Sequence, residues 1–140
     1  MGRKGANRSI WVAAAGLAAA VAPASAHHSI AAAYDSAKRL TLEAAIAEFH
    51  FVNPHPFLVV EVTREDGTRE SWRLEMDNRR ELADIGITSE TFRAGDRVVV
   101  QGNAGRTEPR TLYVYRLDRA ADGLRYEQLG YSPRITRRAR

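Results

Sequence analysis

The stretch 57–76 constrains the fold more than any other part of the sequence. Phe57 to Thr63 (FLVVEVT) is a run of β-branched and aromatic residues. Arg64-Glu65-Asp66-Gly67-Thr68 follows, and Asp-Gly flanked by such runs is a strong hairpin signal. From Glu70 to Met76, Trp72, Leu74 and Met76 alternate with Ser71, Arg73 and Glu75, the period of a half-buried strand. Just upstream, Asn53-Pro54-His55-Pro56 sets two prolines within three residues, which excludes both a helix and a central strand there.

Before that break, Leu40, Leu42, Ala44 and Ile46 alternate with Thr41, Glu43, Ala45 and Ala47, and the apolar phase then shifts to Phe49 and Phe51. A strand with a bulge accommodates the shift. A helix competes for the same residues, since Leu, Glu and Ala favour it. After the hairpin, Asn78 and Glu81 have the spacing of a helix cap, and Gly86 supplies a stop. Ser89 to Phe92 is suited to one more helical turn. Ala94-Gly95-Asp96 turns into a fourth strand, Arg97–Gln101. Gly102 to Arg110 reads as a polar loop, Thr111–Leu117 as a fifth strand, and Asp122-Gly123 as a turn. Pattern weakens beyond Tyr126, and 132–140 reads as a basic, disordered tail. The expected fold class is mainly β: a small five-stranded OB-like barrel with one helix between strands three and four. A five-stranded sandwich or an open sheet shares these periodicities.

The N-terminus carries a different signal. Arg3, Lys4 and Arg8 precede an uncharged run of 13 residues from Ile10 to Ala22, then Pro23 and the small residues Ala24-Ser25-Ala26. This is the layout of a secretory signal peptide. A membrane-spanning helix needs roughly 20 apolar residues, and this run is shorter and rich in alanine. The expectation is a signal peptide over 1–26, cleaved near Ala26 (cleavage after Ala24 is the second choice). A domain over 27–131 and the tail over 132–140 complete the chain, and the location is periplasmic or secreted. No transmembrane segment is expected in the mature chain.

The chain has no cysteine, so an ordinary apolar core must hold the domain. Its formal charge of +4 is misleading. Three basic residues leave with the signal and four (Arg134, Arg137, Arg138, Arg140) lie in the last seven positions, which leaves 14 basic against 17 acidic groups in 27–133. A mildly acidic body argues against a domain-wide nucleic-acid footprint. The tail is a solvated end or an arm for anionic lipid.

Chemistry centres on the histidines, His27, His28, His50 and His55. Cleavage after Ala26 makes His27 the first residue, whose amine and ring nitrogen can chelate one metal together. A second imidazole completes a T-shaped set of three nitrogens, which suits the tetragonal preference of copper. His28 is adjacent and His55 sits at a rigid turn, so either can serve. Glu75 is a further ligand or an acceptor supporting one. The competing reading leaves the His27-His28 pair solvated and has His55 bond to backbone. His50 is expected to pack beside Phe49 and Phe51. No nucleophile elbow, triad or phosphate loop is present. Phe49, Phe51, Trp72, Tyr113 and Tyr115 are read as core in preference to a stacking platform.

His27-His28-Ser29, Tyr34-Asp35, Leu40-Thr41-Leu42, Asn53-Pro54-His55, Trp72, Glu75 and the run from Phe92 through Gly95-Asp96, Val98 and Val100 to Gly102 together resemble a family of small exported bacterial proteins of unknown function. The departures are Ile30 for a usual Phe, Ala45 for a common Gly, and His50 at a position often aromatic. The resemblance implies export and a shared fold, and no activity. The expectation is therefore a non-enzymatic exported binding domain that takes a metal ion, copper, through His27, His28, His55 and Glu75. The alternative is a module for a sugar, a peptide or an envelope protein partner, without metal.

Overall fold

A computed structural model describes residues 30–130 and 132–138. The expected signal peptide, His27 and His28 lie outside the described residues. The order is α1 (Ile30–Ala33), β1 (Tyr34–His50), β2 (Phe57–Thr63), β3 (Arg69–Glu75), α2 (Arg79–Asp84), β4 (Arg97–Gly105), β5 (Thr111–Arg119), β6 (Leu124–Leu129) and β7 (Ser132–Arg137). The protein is mainly β. Seven strands form one sheet in the order β3-β2-β1-β4-β5-β6-β7, and β3 also pairs with β5 in parallel. The hydrogen-bonded circuit β1-β2-β3-β5-β4 thus returns to β1. No helix among the described residues is long and apolar enough to cross a membrane.

Strand β1 settles the competition at 40–51 in favour of extended chain. It pairs with β4 over its first half and β2 over its second, with a register shift between Ile46 and Glu48. The extra residue, Ala47, carries the phase slip. Leu42, Ala44 and Ile46 are buried on one side of it, and Phe49 and Phe51 return to the same core on the other. Tertiary pairing overrides the local helical preference of Leu, Glu and Ala. The β2–β3 hairpin closes as expected: the Asp66 carboxylate accepts the Thr68 N–H at 2.9 Å and its hydroxyl at 2.6 Å. Helix α2 begins where Asn78 accepts the Glu81 N–H at 3.0 Å. Its six residues are too few to persist alone. Burial of Leu82 beside Ile87 and Phe92 holds it against the sheet.

Four expectations are corrected. The strand count is seven, because β6 and β7 follow the expected five. The tail from 132 is not disordered through its length: Ser132–Arg137 pairs with β6, buries Pro133 and packs Ile135 on the core. Proline is tolerated there because β7 is an edge strand. The polar loop expected from Gly102 starts later, since β4 runs to Gly105. Gly102 permits this: a Cβ there would sit 2.2 Å from the Tyr113 carbonyl oxygen, so only glycine lets β5 approach so closely. In addition, Ser89–Phe92 forms no helix; one turn bond, Thr91 N–H to Thr88 O at 3.0 Å, spans it.

Candidate functional site

The site is built where the start of β1, the Asn53–Pro56 turn, the end of β3 and the first half of β5 converge. Phe57 pairs with Glu75 across the β2–β3 ladder, so the preceding turn folds back over the end of β3. The Asn53-Pro54 peptide is cis, and Met76 N–H donates to the Pro56 carbonyl at 2.9 Å. That seats His55 with Nδ1 3.2 Å from the Met76 carbonyl oxygen and 3.8 Å from Glu75 Oε1. A carbonyl only accepts, so Nδ1 carries the proton and donates. Nε2 has no hydrogen bond among the described residues, and in the neutral tautomer with the proton on Nδ1 it carries the lone pair.

The other Glu75 oxygen, Oε2, accepts the Tyr34 hydroxyl at 2.6 Å. Tyr34 is buried at the head of β1, and its ring lies 5.6 Å from Tyr113 on β5. Burial, then the bond to Glu75, pushes the Tyr34 phenol above its ordinary value, so it stays a proton donor. Tyr113 donates in turn to Asp77 Oδ1 at 3.3 Å, and Gln128 of β6 donates its amide to Asp77 Oδ2. Asp77 is the one buried charged side chain among the described residues. Burial, reinforced by the Glu81 carboxylate, pushes it up to about 6. Burial raises Tyr113 and Tyr126 as well.

The result is two short polar chains, His55–Glu75–Tyr34 and Tyr113–Asp77–Gln128, set side by side by the contact between the two tyrosine rings. Among the described residues no lysine or arginine forms an ion pair with Glu75, Asp77 or Glu81. Arg73, two residues from Glu75, is near enough to favour the charged form of Tyr34. Its guanidinium instead stacks 3.8 Å over the Phe57 ring.

Of the residues expected to hold a metal, the structure brings His55 and Glu75 together. No group of three His, Asp or Glu side chains able to hold an ion occurs among the described residues. His50 stands apart. It stacks on Phe57 at 4.4 Å and meets Glu48 at 2.6 Å, whereas Phe49 and Phe51 face the core, as strand alternation requires. Trp72 and Tyr113 are buried, and the Arg39 guanidinium covers the Tyr115 ring at 4.2 Å. Sequence reasoning missed Tyr34, Asp77, Tyr113 and Gln128. For Tyr34 the signal was its place in the family-like pattern. For Asp77, 51 positions from Gln128, the sequence held none.

A family model for a family of unknown function, DUF6152, matches residues 14–112. The chain belongs to that family. Its matched span contains His27, His28, Asn53-Pro54-His55 and Glu75, and stops before β6 and β7. No curated protein matches the sequence. A similar solved structure is the N-terminal domain of PriB protein from Thermoanaerobacter tencongensis, described as dimeric. The identity is 16% and the TM-score 0.39, over 74% of this chain and 99% of that one.

Proposed function

We propose that this chain is exported to the periplasm or beyond, loses residues 1–26, and serves as a non-enzymatic copper-binding domain on an OB-like β1–β5 barrel. The ion is held by the His27 amine and ring and by His55 Nε2, with His28 as the alternative third nitrogen and Glu75 as a further ligand or supporting carboxylate.

The single observation that carries this reading is the state of His55. Its Nδ1–H is taken by the Met76 carbonyl and its Nε2 is left free. A ring N–H bonded to a backbone carbonyl is the usual arrangement that orients a metal-ligating histidine and fixes its tautomer. The same contact answers the bland expectation that His55 bonds to backbone: it does so through the nitrogen a ligand does not need. Two further points support the reading. Asp77 lies beside Glu81, and Glu75 beside His55 and Tyr34, with no arginine or lysine ion pair to any of the three carboxyls among the described residues, which leaves room for a positive charge. His27 also precedes α1 by three residues, at most ~10 Å of chain, and the four residues of α1 span ~6 Å. A freed N-terminus is thus within chain reach of Tyr34 and the carboxylate it holds.

The test is copper titration of the exported protein under native conditions, with intact mass fixing the first residue. The processed protein takes up one copper ion. One alanine inserted before His27, or His55→Ala, lowers the affinity at least about tenfold. Equal binding by the parent and both variants, or a first residue other than His27, rejects the reading.

A further inference from the structure

The Arg-rich C-terminus has no part in the proposal above, and the described portion of it is held in place. Arg137 ends β7, opposite Leu124 at the start of β6. The Arg138 N–H then donates to the Gly123 carbonyl at 3.2 Å. Gly123 makes that approach possible: its φ is +67°, and a Cβ there would come 2.8 Å from the Arg138 Cβ. The β5–β6 turn is therefore shaped to receive Arg138.

Between this turn and the end of β7 lies an open cavity of about 510 Å³, whose walls include Arg119, Arg125, Arg137 and Arg138. The charges around it do not cancel. Arg119 is committed to Asp96 and Asp122, and Arg116 and Arg125 share Asp118. Arg137 and Arg138 have no carboxylate partner among the described residues. Five guanidiniums thus face three carboxylates at this end. The acidic balance of 27–133 makes the excess local to this cavity.

We propose that this cavity is an oxyanion site that takes a phosphate group, bound by Arg137 and Arg138 and seated by Gly123. Guanidinium N–H groups match phosphate oxygens in fork geometry. Asp118 and Asp122 repel an anion, but their charge is already bound to Arg116, Arg125 and Arg119, which leaves the two terminal arginines as the free donors. The site lies beyond residue 112, where the family match ends, and is independent of the copper reading. A phosphate can come free in solution or as the headgroup of an anionic phospholipid. The two sources share one chemistry and separate by experiment.

The experiment follows backbone amide shifts during titration with inorganic phosphate, and co-sedimentation with vesicles of phosphatidylglycerol or of phosphatidylcholine. Three proteins are compared: the parent, Arg137→Gln/Arg138→Gln, and Gly123→Ala, with thermal unfolding as the fold control. Phosphate is expected to shift Gly123 and Arg138, and the double variant to lose at least about tenfold in affinity, since bonds to charged groups carry the binding. Gly123→Ala leaves the net charge unchanged and is expected to lose several-fold through displacement of Arg138. Binding to phosphatidylglycerol vesicles alone, with the same variant ranking, supports the site with lipid as its source. Lack of binding to either probe overturns the proposal. So does loss in the double variant with none in Gly123→Ala, because diffuse charge then explains the binding.

Discussion

Strand β5 joins two ends of the molecule that treat charge in opposite ways. Tyr113 near its start and Arg119 at its end stand six residues apart, ~20 Å along the strand. At the Arg119 end, the partly buried carboxylates Asp96, Asp118 and Asp122 each have an arginine partner. Arg119 donates to both oxygens of Asp122 at 3.0 and 2.8 Å, to Asp96 at 2.5 Å and to the Thr91 carbonyl at 2.7 Å. At the Tyr113 end, Glu75 and Asp77 meet hydroxyls, amides, an imidazole and the Glu81 carboxyl, and no arginine or lysine ion pair among the described residues. The carboxyl groups respond accordingly. Arg119 holds Asp122 below the usual carboxylate range. Burial would raise Asp118, but the Arg116 and Arg125 guanidiniums outweigh it and hold it low. Asp77, without such a partner, is pushed up. At one end the carboxylates are all paired with arginine and two arginines are left over; the other end has carboxylates without a cation, which is why it is the candidate for binding one.

The largest effect expected from this contrast is at the Arg119 end. Arg119→Ala strands Asp96, Asp122 and the Thr91 carbonyl, and unties the loop before β4 from the β5–β6 turn. Breaking a fully buried pair costs about 3–5 kcal/mol. Here the Arg119 side chain is 11% exposed but that of Asp122 is 36% exposed, so the expected loss is about 2–3 kcal/mol. Urea unfolding reads it as a lower midpoint at unchanged slope. A loss under about 0.5 kcal/mol would place this network among ordinary surface pairs and remove the contrast.

The same contrast explains what the sequence made legible. The β2–β3 hairpin could be read because its alternation and Asp66-Gly67 turn are local. The β1 bulge could be read because Ala47 shifts an apolar phase visible on both sides of it. Strands β6 and β7 could not. Their inward set is small, and Arg125, Glu127 and Arg134 make sense only as partners across strands, Arg125 with Asp118 and Arg134 with Glu127. At the site, His55 and Glu75 were nameable as residue types. Their approach to 3.8 Å depends on the Phe57–Glu75 register, which is tertiary. Asp77 was not nameable at all, since Tyr113 and Gln128 reach it from strands far along the chain.

A smaller effect, opposite in sign, is expected from pH. A carboxyl raised on folding contributes stability in full below its unfolded value near 3.8, and that contribution is lost as pH rises through about 6. The Asp118 and Asp122 contributions run the other way, present above the ordinary carboxylate value and lost as pH falls. Asp77→Asn removes the titration and keeps one acceptor, for Tyr113; its NH2 replaces the oxygen that Gln128 bonds, and a flip of the Gln128 amide offers its unpartnered Oε1 in exchange. The variant should abolish a decline in stability between pH 4 and 7 and stabilise the protein at pH 7. In a dry site the shift corresponds to roughly 3 kcal/mol, and partial access of water to this end reduces that to about 1 kcal/mol. Unfolding of both proteins across that range checks it. Parallel profiles would mean that Asp77 already has a cation partner at neutral pH.

The smallest expected effect separates hydrogen bonding from ion pairing most directly. Tyr34→Phe deletes the 2.6 Å bond to Glu75 and leaves the ring against Tyr113. A bond to a charged acceptor is worth about 1.5–3 kcal/mol when buried. The Glu75 side chain is 20% exposed and can recover water, so the expected loss is about 1 kcal/mol or less. Salt is the decisive variable. Raising ionic strength weakens partly exposed ion pairs and leaves a hydroxyl-to-carboxylate bond nearly untouched. Raising salt from ~0.05 to ~1 M should therefore shrink the penalty of Arg119→Ala in unfolding measurements and leave that of Tyr34→Phe unchanged. A Tyr34→Phe penalty that falls with salt would show that Glu75 is held by long-range charge, with Arg73 the nearest source. The carboxylate offered to a metal would then be aimed by that arginine rather than by the tyrosine.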